Sequence, residues 1–338
     1  MPWLIAKKRL TSCRALLMLT GGLVLALGLS ACSARQKPAS PLVTGTELVS
    51  LNQVQLPENE SGSFKFVVAG HIYGSQDEKD TMPDYALVDQ LPAFNQMGLS
   101  MFISLGDIVE HAVTKDFNHL DENLLSKLDI PVLNTVGNHD VGKRALYERL
   151  YGQTYYAFQY SSAEFIFLDT ERVECTIDDP QRKMMNRALE DALNNDQVKN
   201  VFIFMHKTLF FQNARLFELQ VRSVGPNVWD CYGHDFWQLM DEKLIPAAAQ
   251  KPVYLFAGDV GAWENLSPYY EKRTDVPLTM VMTGIGDSPK DAVIMVAVEN
   301  EDVTLQAYRL ADGSSIPLEQ FSPDYWISVA EGVEPAVP

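Results

Sequence analysis

Four short runs of apolar and β-branched residues, Met101–Leu105, Pro131–Val136, Val201–Met205 and Pro252–Ala257, each stop at a polar cluster. Apolar runs of this length, bounded by turn residues, read as buried parallel strands covered by helices. The clusters that follow are Gly106-Asp107, Gly137-Asn138-His139-Asp140, His206-Lys207 and Gly258-Asp259. They therefore stand at the carboxyl ends of strands. In open α/β sheets that edge gathers ligands and catalytic groups, because the loops converge there on rigid supports.

Alternating elements fill the chain between these runs. Helical patterns cover about Tyr85–Met97, Phe117–Leu128, Lys143–Leu150, Asp179–Asn194 and Asp235–Ala249, and strand patterns cover Tyr155–Tyr160, Glu164–Asp169, Leu278–Thr283, Ala292–Glu299 and Val303–Leu310. Residues 63–312 make one α/β domain large enough for a sizeable core. Residues 32–62 are rich in Ser, Pro, Asn and Gln without apolar periodicity and read as a flexible tether. Residues 313–338 read as a tail, with Phe321, Tyr325 and Trp326 available to pack it.

In order and spacing the polar clusters resemble the calcineurin-like metallophosphoesterases, whose pattern is Asp-x-His, Gly-Asp, Gly-Asn-His-Asp/Glu, His, then Gly-His-x-His. The resemblance spans roughly Phe64 to Leu310 and implies an α/β fold, a two-sheet α/β/β/α sandwich. Gly106-Asp107 followed by Gly137-Asn138-His139-Asp140, each after a strand, is its most specific part. The ends of the pattern depart from it. His71 stands where the first Asp belongs, Tyr73 where its His belongs, Asp259 replaces the first His of the final pair, and Gly261 the second.

Carried over residue by residue, the resemblance implies one metal position from Asp107, Asn138, His206 and Asp259, all competent donors. The other position has lost a ligand at Gly261 and keeps a poor donor at Tyr73, since a phenol must shed a proton with pKa near ~10 to bind well. His71 supplies a further nitrogen to either position. Two carboxylates, an amide and an imidazole form a hard ligand set, so one or two divalent ions of manganese, iron, magnesium or zinc are all compatible. The implied chemistry is hydrolysis of a phosphomonoester or phosphodiester by metal-activated water. His139 would protonate the leaving oxygen, with Asp140 orienting its imidazole. Tyr73, Lys207 and His111 are candidate substrate contacts, His111 because it lies four residues beyond Asp107 and otherwise a surface or packing residue.

Each residue also has an ordinary role open to it. Asp107 suits a helix N-cap, Gly137-Asn138 suits a turn needing positive φ, His206 suits a satisfied core position, and Lys207 a solvated loop. His71 and Tyr73 serve equally as structural or substrate-contacting groups. The competing function class is a degenerate protein of the same fold that binds or scaffolds an envelope glycan or lipid component without cleaving it.

The first 31 residues carry Lys7, Lys8, Arg9 and Arg14, then an uncharged stretch from Ala15 to Leu29, then Leu29-Ser30-Ala31-Cys32. The apolar stretch is shorter than the ~20 residues of a spanning helix. The segment resembles a bacterial lipoprotein signal, which implies lipidation at Cys32 and a cell-envelope address at the periplasmic face of the outer membrane. Removing residues 1–31, which hold four basic and no acidic residues, takes the formal charge from −17 to −21. So acidic a chain excludes nucleic acid as an electrostatic partner and leaves the membrane to the lipid anchor alone. A small or envelope-derived phosphorylated substrate stays compatible, because a bound ion dominates the local field. Oligomeric state is unknown from sequence.

Of the four cysteines, Cys175 and Cys231 are left to the domain; in an oxidising compartment they invite a disulfide, the alternative being two buried thiols. The aromatic-rich insertion Phe210–Asp235 reads either as a lid beside the site or as a loop folded on its own small core.

Overall fold

The apolar runs are strands, and they divide between two six-stranded sheets packed face to face. The computed structural model describes residues 48, 50–74, 83–173, 175–210, 234–260, 268–286 and 288–332. In spatial order the first sheet is β12 (Ser315–Pro317), β11 (Asp302–Arg309), β10 (Ala292–Glu299), β1 (Phe64–Ala69), β2 (Met101–Ser104) and β3 (Val132–Asn134). The second is β4 (Tyr156–Tyr160), β5 (Ala163–Phe167), β6 (Asn200–Met205), β7 (Val253–Ala257), β9 (Leu278–Met282) and β8 (Tyr269–Lys272). Strands β1 to β3 are parallel neighbours, as are β5, β6, β7 and β9.

Successive side chains of a strand point to opposite faces, and both faces are apolar here. Phe66 and Val68 of β1 face the second sheet, while Val67 and Ala69 face outward under helices α1 (Tyr85–Phe94), α2 (Thr114–Asn123) and α3 (Arg144–Tyr151). The layer between the sheets is aromatic. Phe66 meets Phe202 edge-on at 5.2 Å, and Phe204 lies against Phe167 at 4.8 Å and Phe256 at 5.3 Å. The outer face of the second sheet is covered by α4 (Asp179–Asn194) and by the elements from His234 to Ala248. The result is an α/β/β/α sandwich. Among the described residues no helix is long and apolar enough to cross a membrane.

One buried group weakens this sandwich. Glu164 on β5 is 1% exposed, and its Oε2 has no hydrogen-bond partner. Burial pushes its carboxyl up to about 8. A carboxyl raised in the folded state binds its proton more tightly there than in the unfolded chain. The associated stability is full below the unfolded pKa and is lost as pH rises toward 8, at about 1.4 kcal/mol per pH unit. Glu164→Gln is expected to be more stable than the parent by about 4 kcal/mol at pH 7.5 and no more stable at pH 4.5. Denaturant melts at the two pH values check this; equal differences at both would refute it.

Both terminal segments differ from their sequence reading. Within the expected tether, residues 50–54 lie along the domain and cover the free edge of β3. The Leu51 N–H donates to the Val132 carbonyl at 2.8 Å, and Asn52 Oδ1 accepts from the Val132 N–H at 3.1 Å. Asn52 Nδ2 donates to the carbonyls of Leu128 and Ile130 at 3.1 and 2.8 Å. One side chain thus satisfies three backbone groups of an edge strand and its approach, a role that composition does not show. The expected tail adds β12 to β11 and then forms a helix, α7 (Pro323–Ala330), whose Trp326 is buried and donates from Nε1 to the Pro268 carbonyl at 3.1 Å. The helix expected over Asp235–Ala249 is three pieces, α5 (His234–Leu239), a π-turn (Met240–Leu244) and α6 (Ile245–Ala248). Pro246 has no N–H for the carbonyl four residues back, so the turn before it widens. Residues 211–233 of the insertion, and with them the lid expectation, lie outside the described residues.

Candidate metal centre

Five strand ends deliver the polar clusters to one edge of the sandwich: β1 ends before His71, β2 before Asp107, β3 before Asn138 to Asp140, β6 before His206 and Lys207, and β7 before Asp259. Backbone bonds tie these ends together. The His71 N–H donates to the Gly106 carbonyl at 3.2 Å, and the Gly258 and Asp259 N–H groups both donate to the His206 carbonyl at 3.0 and 2.9 Å. Contact between the β2 and β3 loops is so close that a Cβ at Gly106 would meet Gly137 N at 2.6 Å and His206 Nδ1 at 2.7 Å, and one at Gly137 would collide with Asp107 Oδ1. His71 and Asp107 both hold left-handed backbone, φ 51° and 54°. This conformation costs an ordinary residue about 1–2 kcal/mol and persists where surrounding structure imposes it.

Asp140 imposes it at Asp107. Its buried carboxylate accepts from the N–H groups of Asp107 (2.9 Å), Ile108 (2.7 Å) and Gly137 (2.8 Å), which clamps the two loops together. Burial, with the nearby Asp107 charge, pushes its carboxyl up to about 7 against these amides. The expectation that Asp140 orients the His139 imidazole is therefore corrected, because both its oxygens are committed to backbone. The orienting group is the Glu110 carbonyl, 2.6 Å from His139 Nδ1. A carbonyl can only accept, so Nδ1 carries the proton and Nε2 is the exposed working atom. Nε2 lies 3.5 Å from the Tyr73 hydroxyl, long for a hydrogen bond.

Asp107, His206 and Asp259 bring ligand atoms together at one point. His206 Nε2 is 3.4 Å from Asp107 Oδ2 and 3.5 Å from Asp259 Oδ1, and His71 Nε2 is 3.7 Å from the same Asp107 oxygen. Ligands around one tetrahedral ion at about 2.0–2.2 Å stand about 3.3–3.6 Å apart, so His206 Nε2 is spaced from each carboxylate oxygen as two ligands of one ion are. His206 Nδ1 donates to the Leu105 carbonyl at 2.7 Å, which leaves Nε2 as the ligating nitrogen. Burial opposes charge on His206, yet Asp107 and Asp259 outweigh it and push the imidazole up to about 10. Burial also opposes charge on Asp107, but His206 holds it well below the usual carboxylate range. In the protein alone a proton on Nε2 balances the carboxylates, in the place where an ion would replace it. His71 is buried with no hydrogen-bond partner at Nδ1, and burial lowers its imidazole below the ordinary value, favouring the neutral form that ligates. The donor set fits a divalent cation.

Other expected residues are placed differently. Asn138 Oδ1 lies 3.3 Å from His206 Nε2 but also accepts from Lys207 Nζ at 3.0 Å. Lys207 is buried, not solvated, and its Nζ is 2.8 Å from Asp259 Oδ2. Tyr73 is buried with its ring 4.2 Å from that of His71. His111 is not in the centre. Its side chain is 66% exposed, 3.5 and 3.7 Å from Glu110 and Asp116 carboxylates, because the chain turns to the surface after buried Ile108 and Val109. Sequence reading missed Thr170 and Glu171, which follow β5. Thr170 Oγ1 accepts from the Lys207 N–H at 3.1 Å, and the Glu171 carboxyl, raised by burial, interacts with His206 and Lys207. The strand-end rule that found the other clusters applies equally to Leu168-Asp169-Thr170. Cys175 is disulfide-bonded; Cys231, Gly261 and Cys32 lie outside the described residues.

No protein-family model matches the chain. No curated protein sequence matches it either. Among solved structures, a purple acid phosphatase from yellow lupin (Lupinus luteus) seeds matches over 78% of this chain with a TM-score of 0.51 and 13% identity. This chain spans about half, 54%, of that phosphatase. Vps29 of Chaetomium thermophilum matches over 76% of this chain and 94% of its own at a TM-score of 0.33 and 13% identity. A phosphopantetheinyl hydrolase of Mycobacterium tuberculosis matches over 67% and 90% at a TM-score of 0.37 and 10% identity. The lupin phosphatase and the sheet order agree on one architecture, with the Asp107, His206 and Asp259 cluster at its carboxyl edge: this chain has the two-sheet α/β/β/α fold of the calcineurin-like metallophosphoesterases.

Proposed function

We propose that this protein is a metal-dependent phosphoesterase that hydrolyses a phosphomonoester or phosphodiester of the cell envelope. The convergence of Asp107, His206 and Asp259 donor atoms at the edge shared by five strand ends carries this reading. Asp107 Oδ2, His206 Nε2 and Asp259 Oδ1 would hold the ion, with His71 Nε2 beside them. A bound divalent cation there supplies hydroxide near neutral pH and withdraws charge from a phosphoryl oxygen. The remaining chemistry belongs to the chain. His139, with its Nδ1–H fixed on the Glu110 carbonyl, presents Nε2 to protonate the leaving oxygen. Tyr73 packs against His71 and His139 and walls off that side of the cleft from water. The envelope address rests on Leu29-Ser30-Ala31-Cys32, and a mature chain whose Cys32 carries no lipid would exclude it.

The purified full chain, supplied with manganese, is expected to cleave aryl phosphate mono- or diesters. His139→Ala should retain the metal and lose about 10²–10⁴ in kcat, the usual range for a general acid. Metal analysis and steady-state rates on the same samples decide it. Parent protein that holds manganese but turns over neither ester type favours the competing reading, a ligand-binding protein of the same fold, for which the Lys207 bond to two expected donor atoms speaks.

A further inference from the structure

The Lys207 side chain is 6% exposed, an unusual place for an ammonium unless it is paired. It is paired with atoms that belong to the centre. Nζ lies 2.8 Å from Asp259 Oδ2 and 3.0 Å from Asn138 Oδ1, while the other Asp259 oxygen faces His206. Asp107 is divided in the same way, Oδ1 accepting from the His139 N–H at 3.1 Å and Oδ2 facing His206 and His71. Among the described residues, the atoms left together for a diffusible ion are Asp107 Oδ2, His206 Nε2 and Asp259 Oδ1, with His71 Nε2 3.7 Å from the Asp107 oxygen, enough for one ion. We propose that the Lys207 ammonium takes the place of a second cation, so that the centre binds a single divalent ion beside a charge built into the chain. This rests on the metal-dependent reading given above.

The charge balance agrees with the geometry. Asp107 and Asp259 bring two negative charges, of which Lys207 cancels one. A single divalent ion then leaves one net positive charge on this set, before the neighbouring Glu171 carboxyl is counted. A second divalent ion added to the ammonium would crowd three excess positive charges onto a few largely buried side chains, where repulsion is less screened than in bulk water. Lysine has three donors and the two acceptors use two of them, which leaves one N–H for a phosphoryl oxygen.

The test is a manganese titration of the full chain, stripped by chelation, with bound metal counted and its electron paramagnetic resonance recorded. The parent is expected to bind one ion with an isolated-ion signal. Lys207→Met keeps the aliphatic stem, releases Asn138 Oδ1 and Asp259 Oδ2, and leaves the Glu171 carboxyl near them. It should bind two ions and show a coupled-pair signal, whereas Lys207→Arg should stay at one. Lys207→Gln, measured in parallel, guards against a misfolded methionine variant, and circular dichroism verifies folding of each. Stoichiometry that stays at one in folded Lys207→Met and Lys207→Gln, or metal affinity that merely weakens, assigns lysine a positioning role and overturns the proposal. Two ions in the parent overturn it too and leave the phosphoesterase reading standing. No ion in the parent overturns both.

Discussion

Asp107→Asn is expected to bind no stoichiometric manganese and to lower turnover of an aryl phosphate by about 10³ or more, since it removes the ligand around which the centre is arranged. Asparagine is the informative replacement. It tolerates the left-handed backbone that Asp107 adopts at φ 54°, and its amide oxygen can still accept the His139 N–H. Alanine would add a backbone penalty to the chemical loss and confuse the two. What asparagine removes is the negative charge opposite His206 Nε2 and His71 Nε2. The His206 imidazole, pushed up to about 10 in the parent by Asp107 and Asp259, should titrate at lower pH in this variant, an effect visible by NMR in the metal-free protein. A variant that keeps parental turnover and metal would remove Asp107 from the centre.

Phe204→Ala is expected to cost about 3–5 kcal/mol of folding stability, the range for deleting a fully buried aromatic ring. In a domain of this size that lowers Tm by roughly 10 °C. Phe204 lies in the middle of the aromatic layer, touching Phe167 and Phe256 in its own sheet and Phe66 across the sandwich at 6.3 Å. It is also two residues before His206, so the cavity opens directly beneath a ligand. Thermal melts of the metal-free variant measure the packing loss without the contribution of bound ion. A loss below about 1 kcal/mol would mean the sheets can slide together to refill the space.

Much of this was legible because the informative residues sit where two codes coincide. The runs before Asp107, His206 and Asp259 are apolar on both faces, so they had to be covered strands inside a sheet, and the polar residues after them had to lie at one edge; the run before Asn138, which carries Asn134 and Thr135, is the edge strand β3. Spacing along the chain does not record partners across it. Asp140 was expected to serve His139 and instead accepts from the backbone amides of Asp107, Ile108, Val109 and Gly137, partners that spacing along the chain does not show. Lys207 looked like a loop lysine because nothing beside it in sequence shows that Asp259 lies 2.8 Å away. His111 was drawn into the pocket by its nearness to Asp107, although the turn after Val109 carries it out. The segments on either side of the domain were misjudged for a related reason. Asn52 acts once, through contacts with no periodicity to announce them, and the tail residue Trp326 packs as its size suggests while the strand and helix around it went unread.

The clamp formed by Asp140 bears on how the protein handles its ion. Many small metal sites exist only when loaded, and the ion must order the loops that bind it. Here the β2 and β3 loops are joined by the Asp140 bonds, and His206 is anchored on the Leu105 carbonyl, contacts made by the chain alone. Little chain entropy would remain for a bound ion to remove, so chelation is expected to empty the cradle without unravelling it. Stripping and reloading should then be reversible at ambient temperature, and one preparation can be exchanged among manganese, iron, magnesium and zinc with the scaffold unchanged.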